Sequence, residues 1–390
     1  MSERCALLII GGGPAGLAAA RAYRQAGGTG RVAIITDEYR IPYSRPPLTK
    51  DLLRGESLVA DLPIEPEAFF DEQQIELIGG RAVTLDANQR SVTLSGGRAE
   101  SYTSCLLATG AEPKRLAVPG ADHPRVAVMR TLEDLRRLLE ALVPQARVAV
   151  AGSGFIGCEI AASLAARGHP VELISTESAP NAARLGDGPA QVIAGWLADN
   201  GVSLHPGSGV EAIVHRDGRA IVVAGSEHIA VDLVVMGSGV APRGELAAQA
   251  GIDLVDGAVP VDAQMRSAVD GVLAAGDMAR AQNVTAGRAL AVEHWGDALG
   301  QGEVAGRTAA GVDAAWDAVP GFWSTIASHT LKYVAWGDGY EQTAFVRHPN
   351  GGFTARYGAG GRLVGVLTHD ADDDYERASD EVAAGTPWTA

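Results

Sequence analysis

Short, wholly apolar runs closed by glycine recur along this chain. Ala6-Leu7-Leu8-Ile9-Ile10 leads straight into Gly11-Gly12-Gly13-Pro14-Ala15-Gly16. An unbroken apolar run of this length reads as a parallel strand buried on both faces. From Leu17 to Ala26 the chain is rich in alanine and stops at Gly27-Gly28, which predicts a helix, and Val32-Ala33-Ile34-Ile35 predicts the next strand. The order returns further on. Arg147-Val148-Ala149-Val150-Ala151 precedes Gly152-Ser153-Gly154-Phe155-Ile156-Gly157, a helix is predicted through Arg167 to its stop at Gly168, and Val171-Glu172-Leu173-Ile174 closes the second unit.

Three later apolar runs end in small residues. Cys105-Leu106-Leu107 runs into Ala108-Thr109-Gly110, and Leu233-Val234-Val235-Met236 into Gly237-Ser238-Gly239. Small side chains there let the backbone pass close to a bound nucleotide, although ordinary strand ends look the same. Val272-Leu273-Ala274-Ala275-Gly276-Asp277 is more specific, because a strand ending in Gly-Asp aims one carboxylate at a ligand polyol.

The glycines have a chemical reason. Gly11 permits the tight turn, Gly13 lets backbone approach a pyrophosphate, and Gly16 lets the helix pack closely on the strand. About 20 residues past Gly16 stand Asp37 and Glu38, where a carboxylate can accept hydrogen bonds from a ribose. A lone glycine pattern is weak evidence. The full succession of strand, turn, helix, strand and acid predicts dinucleotide binding, and two such units in one chain predict two dinucleotides with a hydride moved between them. At the end of the second unit Ser175-Thr176-Glu177 is chemically mixed, and the nearest arginine is Arg184. Without a clear cation for a 2'-phosphate, this end favours NADH over NADPH.

Composition removes several classes. The chain has 390 residues, 46% of them hydrophobic, enough for two or three domains with their own cores. Its net charge of −15 repels a phosphate backbone, so a nucleic-acid partner is not expected. No stretch reaches the roughly 18 to 20 apolar residues of a membrane span, and the first apolar run leads into glycines rather than a cleavage site, so a cytoplasmic protein is expected. Cys5, Cys105 and Cys158 are far apart, which argues against disulfides and zinc and for small buried side chains. No metal site is predicted.

Together the two glycine turns and the Gly276-Asp277 end resemble the two-dinucleotide flavoproteins of the glutathione reductase superfamily, in their usual order along nearly the whole chain. Pro42-Tyr43-Ser44-Arg45-Pro46-Pro47-Leu48-Thr49-Lys50, Glu293-His294-Trp295 with Gln301-Gly302, and Phe322-Trp323-Ser324 look like its ferredoxin and rubredoxin reductase branch. The resemblance implies that Gly11, Gly13, Gly16 and Glu38 hold the adenine half of FAD, with Pro14, Ala15 and Asp37 beside them as cofactor-binding residues, that Arg45 and Lys50 lie along its flavin half, and that Asp277 bonds its ribityl chain. Gly152, Gly154, Phe155, Ile156 and Gly157 then hold NAD(P)H, and Lys50 pairs with Glu159 beside flavin N5. In isolation Lys50 reads as a solvated loop lysine and Glu159 as an early-helix acid favoured by the dipole. Trp295 in isolation reads as core, and beside Glu293 and His294 as a flavin-edge residue.

The fold the resemblance implies is α/β. Two Rossmann-like dinucleotide-binding domains, FAD at 1–113 with 242–320 and NAD(P)H at 114–241, precede a C-terminal α+β domain at 321–390 whose strands include Thr343 to Arg347 and Leu363 to Leu367. Related disulfide reductases carry a cysteine pair after the first nucleotide unit, and Tyr39 to Arg54 has no cysteine. Electrons therefore leave flavin directly, one at a time, to a ferredoxin-type protein. Two alternatives stay open: an oxidase or quinone and small-molecule reductase, and a redox-regulated binding protein of the apoptosis-inducing-factor kind. The chain departs from the branch at Ser175, at Thr325-Ile326-Ala327 and in the acidic run from Asp370 to Asp374.

Overall fold

The Cys5–Ile10 strand lies inside a parallel sheet, between Arg31–Thr36 and Ala99–Leu107, with Ile75–Gly79 beyond the former. Leu7, Leu8 and Ile9 are fully buried, as an apolar run covered on both faces requires. The computed structural model describes residues 3–38, 41–216 and 218–389; Tyr39 and Arg40, at the start of the cysteine-free segment, lie outside the described residues. One strand serves two partners. The end of Ala99–Leu107 pairs in parallel with Val272–Ala274, which arrives from much later in the chain, and its beginning pairs antiparallel with Ser91–Leu94.

The Pro14–Gln25 helix opens on a proline at its first position and stops before Gly27, whose φ is +82°. It packs along the Trp295–Ala309 helix. The two backbones come very close: a Cβ at Gly302 would lie 2.2 Å from the Ala15 carbonyl oxygen, and one at Gly306 2.2 Å from that of Ala19. Only glycine at both positions permits this contact.

A second parallel sheet follows the order Val202–His205, Val171–Ile174, Val148–Ala151, Leu233–Met236, Val126–Val128. Ala111–Pro113 and Val240–Pro242 pair antiparallel where the chain passes between the two sheets. The Phe155–Ala166 helix is buried from Gly157 to Leu164. A helix apolar on all sides must be covered on all sides. The sheet covers one side, and the Pro46–Thr49 turn and the Gly321–Ile326 strand cover others.

The third unit is an antiparallel sheet in the order Gly321–Ile326, His329–Ala335, Arg362–His369, Phe353–Ala359, Gln342–Arg347, with the Asp372–Ala383 helix against it. The architecture is thus α/β, two Rossmann-like units followed by an α+β unit, the class expected. Among the described residues no helix is long and apolar enough to cross a membrane. The acidic run has a local explanation. Asp372, Asp373 and Asp374 fill the first turn of the last helix, where its dipole favours negative charge, and Asp372 accepts a hydrogen bond from Lys332 Nζ at 2.6 Å.

Candidate active site

Both glycine turns take the conformations their spacing demands. Gly11 has φ +126°, and a Cβ there would fall 2.0 Å from the Ala108 carbonyl oxygen; at Gly16 it would fall 2.2 Å from that of Gly11. Gly152 has φ +112° and would place a Cβ 2.4 Å from the Gly237 oxygen, and Gly157 would place one 2.0 Å from that of Gly152. The small strand ends at Ala108 and Gly237 are therefore floors for the two turns. Gly13 and Gly154 differ, since a Cβ on either meets nothing within 4 Å.

Those two open positions are the N-caps of helices 12 residues long, and neither helix has a side-chain cap. Their first N–H groups and the positive ends of their dipoles are left for an anion. Both turns open into one cleft of about 1820 Å³. The residues present thus fit two dinucleotides, with a bare helix end for each pyrophosphate.

The cleft is lined by Gly11, Gly13, Pro14 and Ala15, by Asp37, Glu38, Arg45 and Lys50, and by Ala108, Thr109 and Gly110. Gly154, Phe155, Ile156 and Glu159 line it from the second unit with Gly237 and Gly239, and Gly276, Asp277, Glu293, His294 and Trp295 complete it. Of the expected site residues, Gly16, Gly152 and Gly157 do not line it. They are the glycines that bring each helix against its turn.

A charged network runs along the first unit's side. Tyr43 donates to Glu38 Oε2 at 2.5 Å, Arg45 Nη2 contacts Glu38 Oε1 at 2.5 Å, and Arg45 Nη1 donates to the Arg130 carbonyl at 2.9 Å. Arg130 in turn pairs with Asp277. Burial pushes the Tyr43 phenol up to about 12, so it stays neutral and donates. A carboxylate offers about four acceptor sites, so Glu38 still has capacity for a ribose. Gln301, wholly buried, accepts from Gly276 N at 2.9 Å and fixes the turn that presents Asp277. Sequence reasoning missed Arg130. It sits just before the Thr131 capping box of the Leu132–Ala141 helix, a local signal that says nothing about a cleft.

Lys50 and Glu159, 8% and 3% exposed, form a buried ion pair with Nζ to Oε2 at 2.7 Å. Lys50 Nζ also donates to the Pro46 carbonyl at 3.1 Å, which leaves one of its three protons. Glu159 Oε2 accepts from Thr49 Oγ1 at 2.5 Å, and Oε1 from Ser324 Oγ at 2.7 Å. A buried ion pair is poor value for stability, since desolvation offsets most of its attraction. Its position on the cleft wall is the better reason for its presence.

The far end of the second unit is closed by hydroxyls. Ser175 Oγ lies 2.5 Å from Ser153 Oγ and accepts from Glu177 N at 3.0 Å, and Glu177 Oε2 accepts from Ala183 N at 2.8 Å. Arg184 lines the cleft as well, its guanidinium over the Phe155 ring and 6.0 Å from its centre. Near the opposite wall His294 Nδ1 is 3.0 Å from buried Asp297, and its ring is 4.7 Å from that of Phe322. Glu293 faces the open cleft, yet partial desolvation by the walls, followed by the charge of Asp277, raises its carboxyl pKa. Cys5, Cys105 and Cys158 are all buried and unpaired, and burial holds the Cys158 thiol far above its ordinary range. Among the described residues the cleft has no dithiol.

Residues 6–302 match the profile of the pyridine nucleotide-disulphide oxidoreductases. The chain belongs to that family. It is accordingly an oxidoreductase with FAD and NAD(P)H as cofactors. It is 31% identical to rubredoxin-NAD(+) reductase of Pseudomonas putida over 330 residues, 84% of this chain and 86% of that one. It is 30% identical to human apoptosis-inducing factor 3 over 389 residues, 97% of this chain but only 63% of the relative's length. Among solved structures, a ferredoxin reductase from Rhodopseudomonas palustris superposes with a TM-score of 0.90 at 33% identity, covering 95% of this chain and 93% of the other. The oxidoreductase family takes its name from disulfide chemistry; the three cysteines of this member are free, buried and outside the cleft lining.

Proposed function

We propose that this oxidoreductase takes a hydride from NADH and delivers single electrons to a ferredoxin-type protein. The observation that carries the reading is one cleft shared by two bare helix ends, with a buried ion pair on its wall and no dithiol within it. Bound FAD supplies the chemistry, accepting a hydride and releasing electrons one at a time. The protein's own part is binding and orientation. The Gly11–Ala15 turn and the start of its helix take one pyrophosphate, with Glu38 toward the ribose and Asp277 toward the ribityl chain. The Gly154 helix end takes the other, and Lys50 with Glu159 orders the place where the two rings meet.

Similarity to rubredoxin and ferredoxin reductases supports a small iron–sulfur or related redox protein as acceptor. The NADH preference is supported by hydroxyls and a carboxylate at Ser175 to Glu177, with the Arg184 guanidinium over the Phe155 ring. The division into an FAD-binding part at 1–113 with 242–320, an NADH-binding part at 114–241 and a C-terminal part belongs to this reading, supported by the return of Val272–Ala274 to the first sheet. So does a cytoplasmic setting, supported by three free thiols.

The deciding experiment mixes NADH-reduced protein with a panel of ferredoxins and rubredoxins, with oxygen alone as the control. Rapid reduction of at least one member is expected. Turnover with oxygen or a quinone equal to that with every protein acceptor would replace this reading with an oxidase or small-molecule reductase.

A further inference from the structure

We propose that Ser324 is a positioning residue for the Lys50–Glu159 pair, so that the third unit sets the geometry of the cleft wall on which the proposed function relies. The inference deepens that reading and rests on it.

The Gly321–Ile326 strand alternates its side chains between two faces. Side chains two apart share a face, so Phe322, Ser324 and Ile326 point one way and Trp323 the other. Ser324 and Ile326 are buried, at 1% and 0%, whereas Trp323 is 45% exposed. Residues four apart share a face of a helix, so Phe155 and Glu159 stand one above the other on the Phe155–Ala166 helix. The two faces meet at two points. Phe322 meets Phe155 edge-on at 4.8 Å, and Ser324 donates to Glu159 at 2.7 Å.

The hydrogen bonds around Glu159 divide cleanly. Oε2 is held from the Pro46–Thr49 segment and its neighbour, by Thr49 and Lys50, and Oε1 is held from the third unit by Ser324. Thr49 is itself tied to the helix, its carbonyl accepting from Ser163 Oγ at 2.8 Å. Two donors on one oxygen leave the carboxylate free to pivot, and a third donor on the other oxygen stops the pivot. Without Ser324, a buried carboxylate oxygen is left without its partner, the carboxylate turns to find another, and Lys50 Nζ follows it. The remaining Lys50 proton then no longer points at one fixed place. The phenylalanine contact survives this change, so the packing of strand on helix is retained.

The test uses the flavin-loaded protein and the apoprotein. Ser324→Ala is expected to slow flavin reduction at saturating NADH by about tenfold while NADH affinity changes by less than about twofold, and Ser324→Thr is expected to recover most of the rate. In a Lys50→Met/Glu159→Ala background, where Ser324 has nothing to hold and no charge is stranded, Ser324→Ala is expected to cost nothing more. In apoprotein melting, the losses from Ser324→Ala and from the double variant are likewise expected to be non-additive. A wild-type rate in Ser324→Ala overturns the proposal, and so does an equal loss in both backgrounds. Failure of the unaltered protein to be reduced by either nicotinamide would instead overturn the functional reading beneath it.

Discussion

At the first glycine turn a backbone with φ +126° at Gly11 sits on the Ala108 carbonyl, and at the second a backbone with φ +112° at Gly152 sits on that of Gly237. Gly13 and Gly154 face open space in the same way. What differs is everything beyond the turns. The first is bordered by ions and a phenol, Glu38, Tyr43, Arg45 and the Arg130–Asp277 pair. The second is bordered by Ser153, Ser175 and Glu177 at one end and by Phe155, with Arg184 over its ring, against Phe322 at the other. The turn is thus a cradle of one shape that fits a pyrophosphate, and its borders distinguish the two copies. A cofactor held through linked ions from several segments is suited to staying, and one bordered mostly by hydroxyls and aromatic rings to coming and going.

Filling one cradle at a time is expected to have the largest effect. A Cβ at Gly13 meets no protein atom within 4 Å, so Gly13→Leu is expected to leave the fold intact and weaken FAD binding by more than about 100-fold, near 2.7 kcal/mol, giving colourless protein that still binds NADH. Gly154→Leu is expected to do the reverse, leaving the protein yellow and slow to be reduced. Absorbance after purification and calorimetric titration with NADH check both. If either variant loses both nucleotides together, the two cradles are not independent.

Next in size is Lys50→Met. It is expected to slow flavin reduction by NADH about ten- to 100-fold and to lower the flavin midpoint potential, because a nearby cation stabilises the anionic reduced form, with FAD still bound through its pyrophosphate. Glu159→Gln is expected to slow reduction less. Stopped-flow and potentiometric measurements decide, and wild-type values in both variants would return Lys50 to the role of a buried structural lysine.

The nucleotide preference comes third. NADH is expected to reduce the flavin faster than NADPH at equal subsaturating concentration. A preference of about tenfold for NADPH, about 1.4 kcal/mol, would show that a cation other than Arg184 completes a phosphate site at Ser175 to Glu177.

The smallest effect concerns pH and contrasts one charged bridge in each of the two sheets. In the first sheet Arg31 bridges Glu76 and Glu100 at 2.6 Å each, and arginine keeps its proton at all ordinary pH values. In the second, His205 bridges Glu172 at 2.7 Å and Glu227 at 2.5 Å. Burial alone would lower the His205 pKa, but hydrogen bonds to the two carboxylates outweigh it and raise it above 6.5. A raised histidine stabilises the fold fully below its unfolded pKa, and the contribution is lost as pH climbs through the folded one. The melting temperature is therefore expected to fall modestly above neutrality, and His205→Gln is expected to flatten that slope.

Both turns, their flanking strands and the helices that follow were legible along the chain, because each depends on residues within a few positions of one another. A glycine that must take φ near +120°, or lie against a neighbouring carbonyl, admits no other residue, and an apolar run covered on two faces cannot alternate. The family pattern also pointed to Lys50 beside Glu159. Arg130 against Asp277, Gln301 under Gly276, Ser324 on Glu159 and the glycine contact of the Trp295–Ala309 helix were not legible. Each joins segments far apart in sequence, and no local preference distinguishes an arginine, a glutamine or a serine that will meet a partner from one that will face water. Local sterics decide the cradle before the chain is folded. Which polar side chains stand around it is decided only when packing removes water and each buried donor and acceptor must find its partner among whatever the folded chain has brought near.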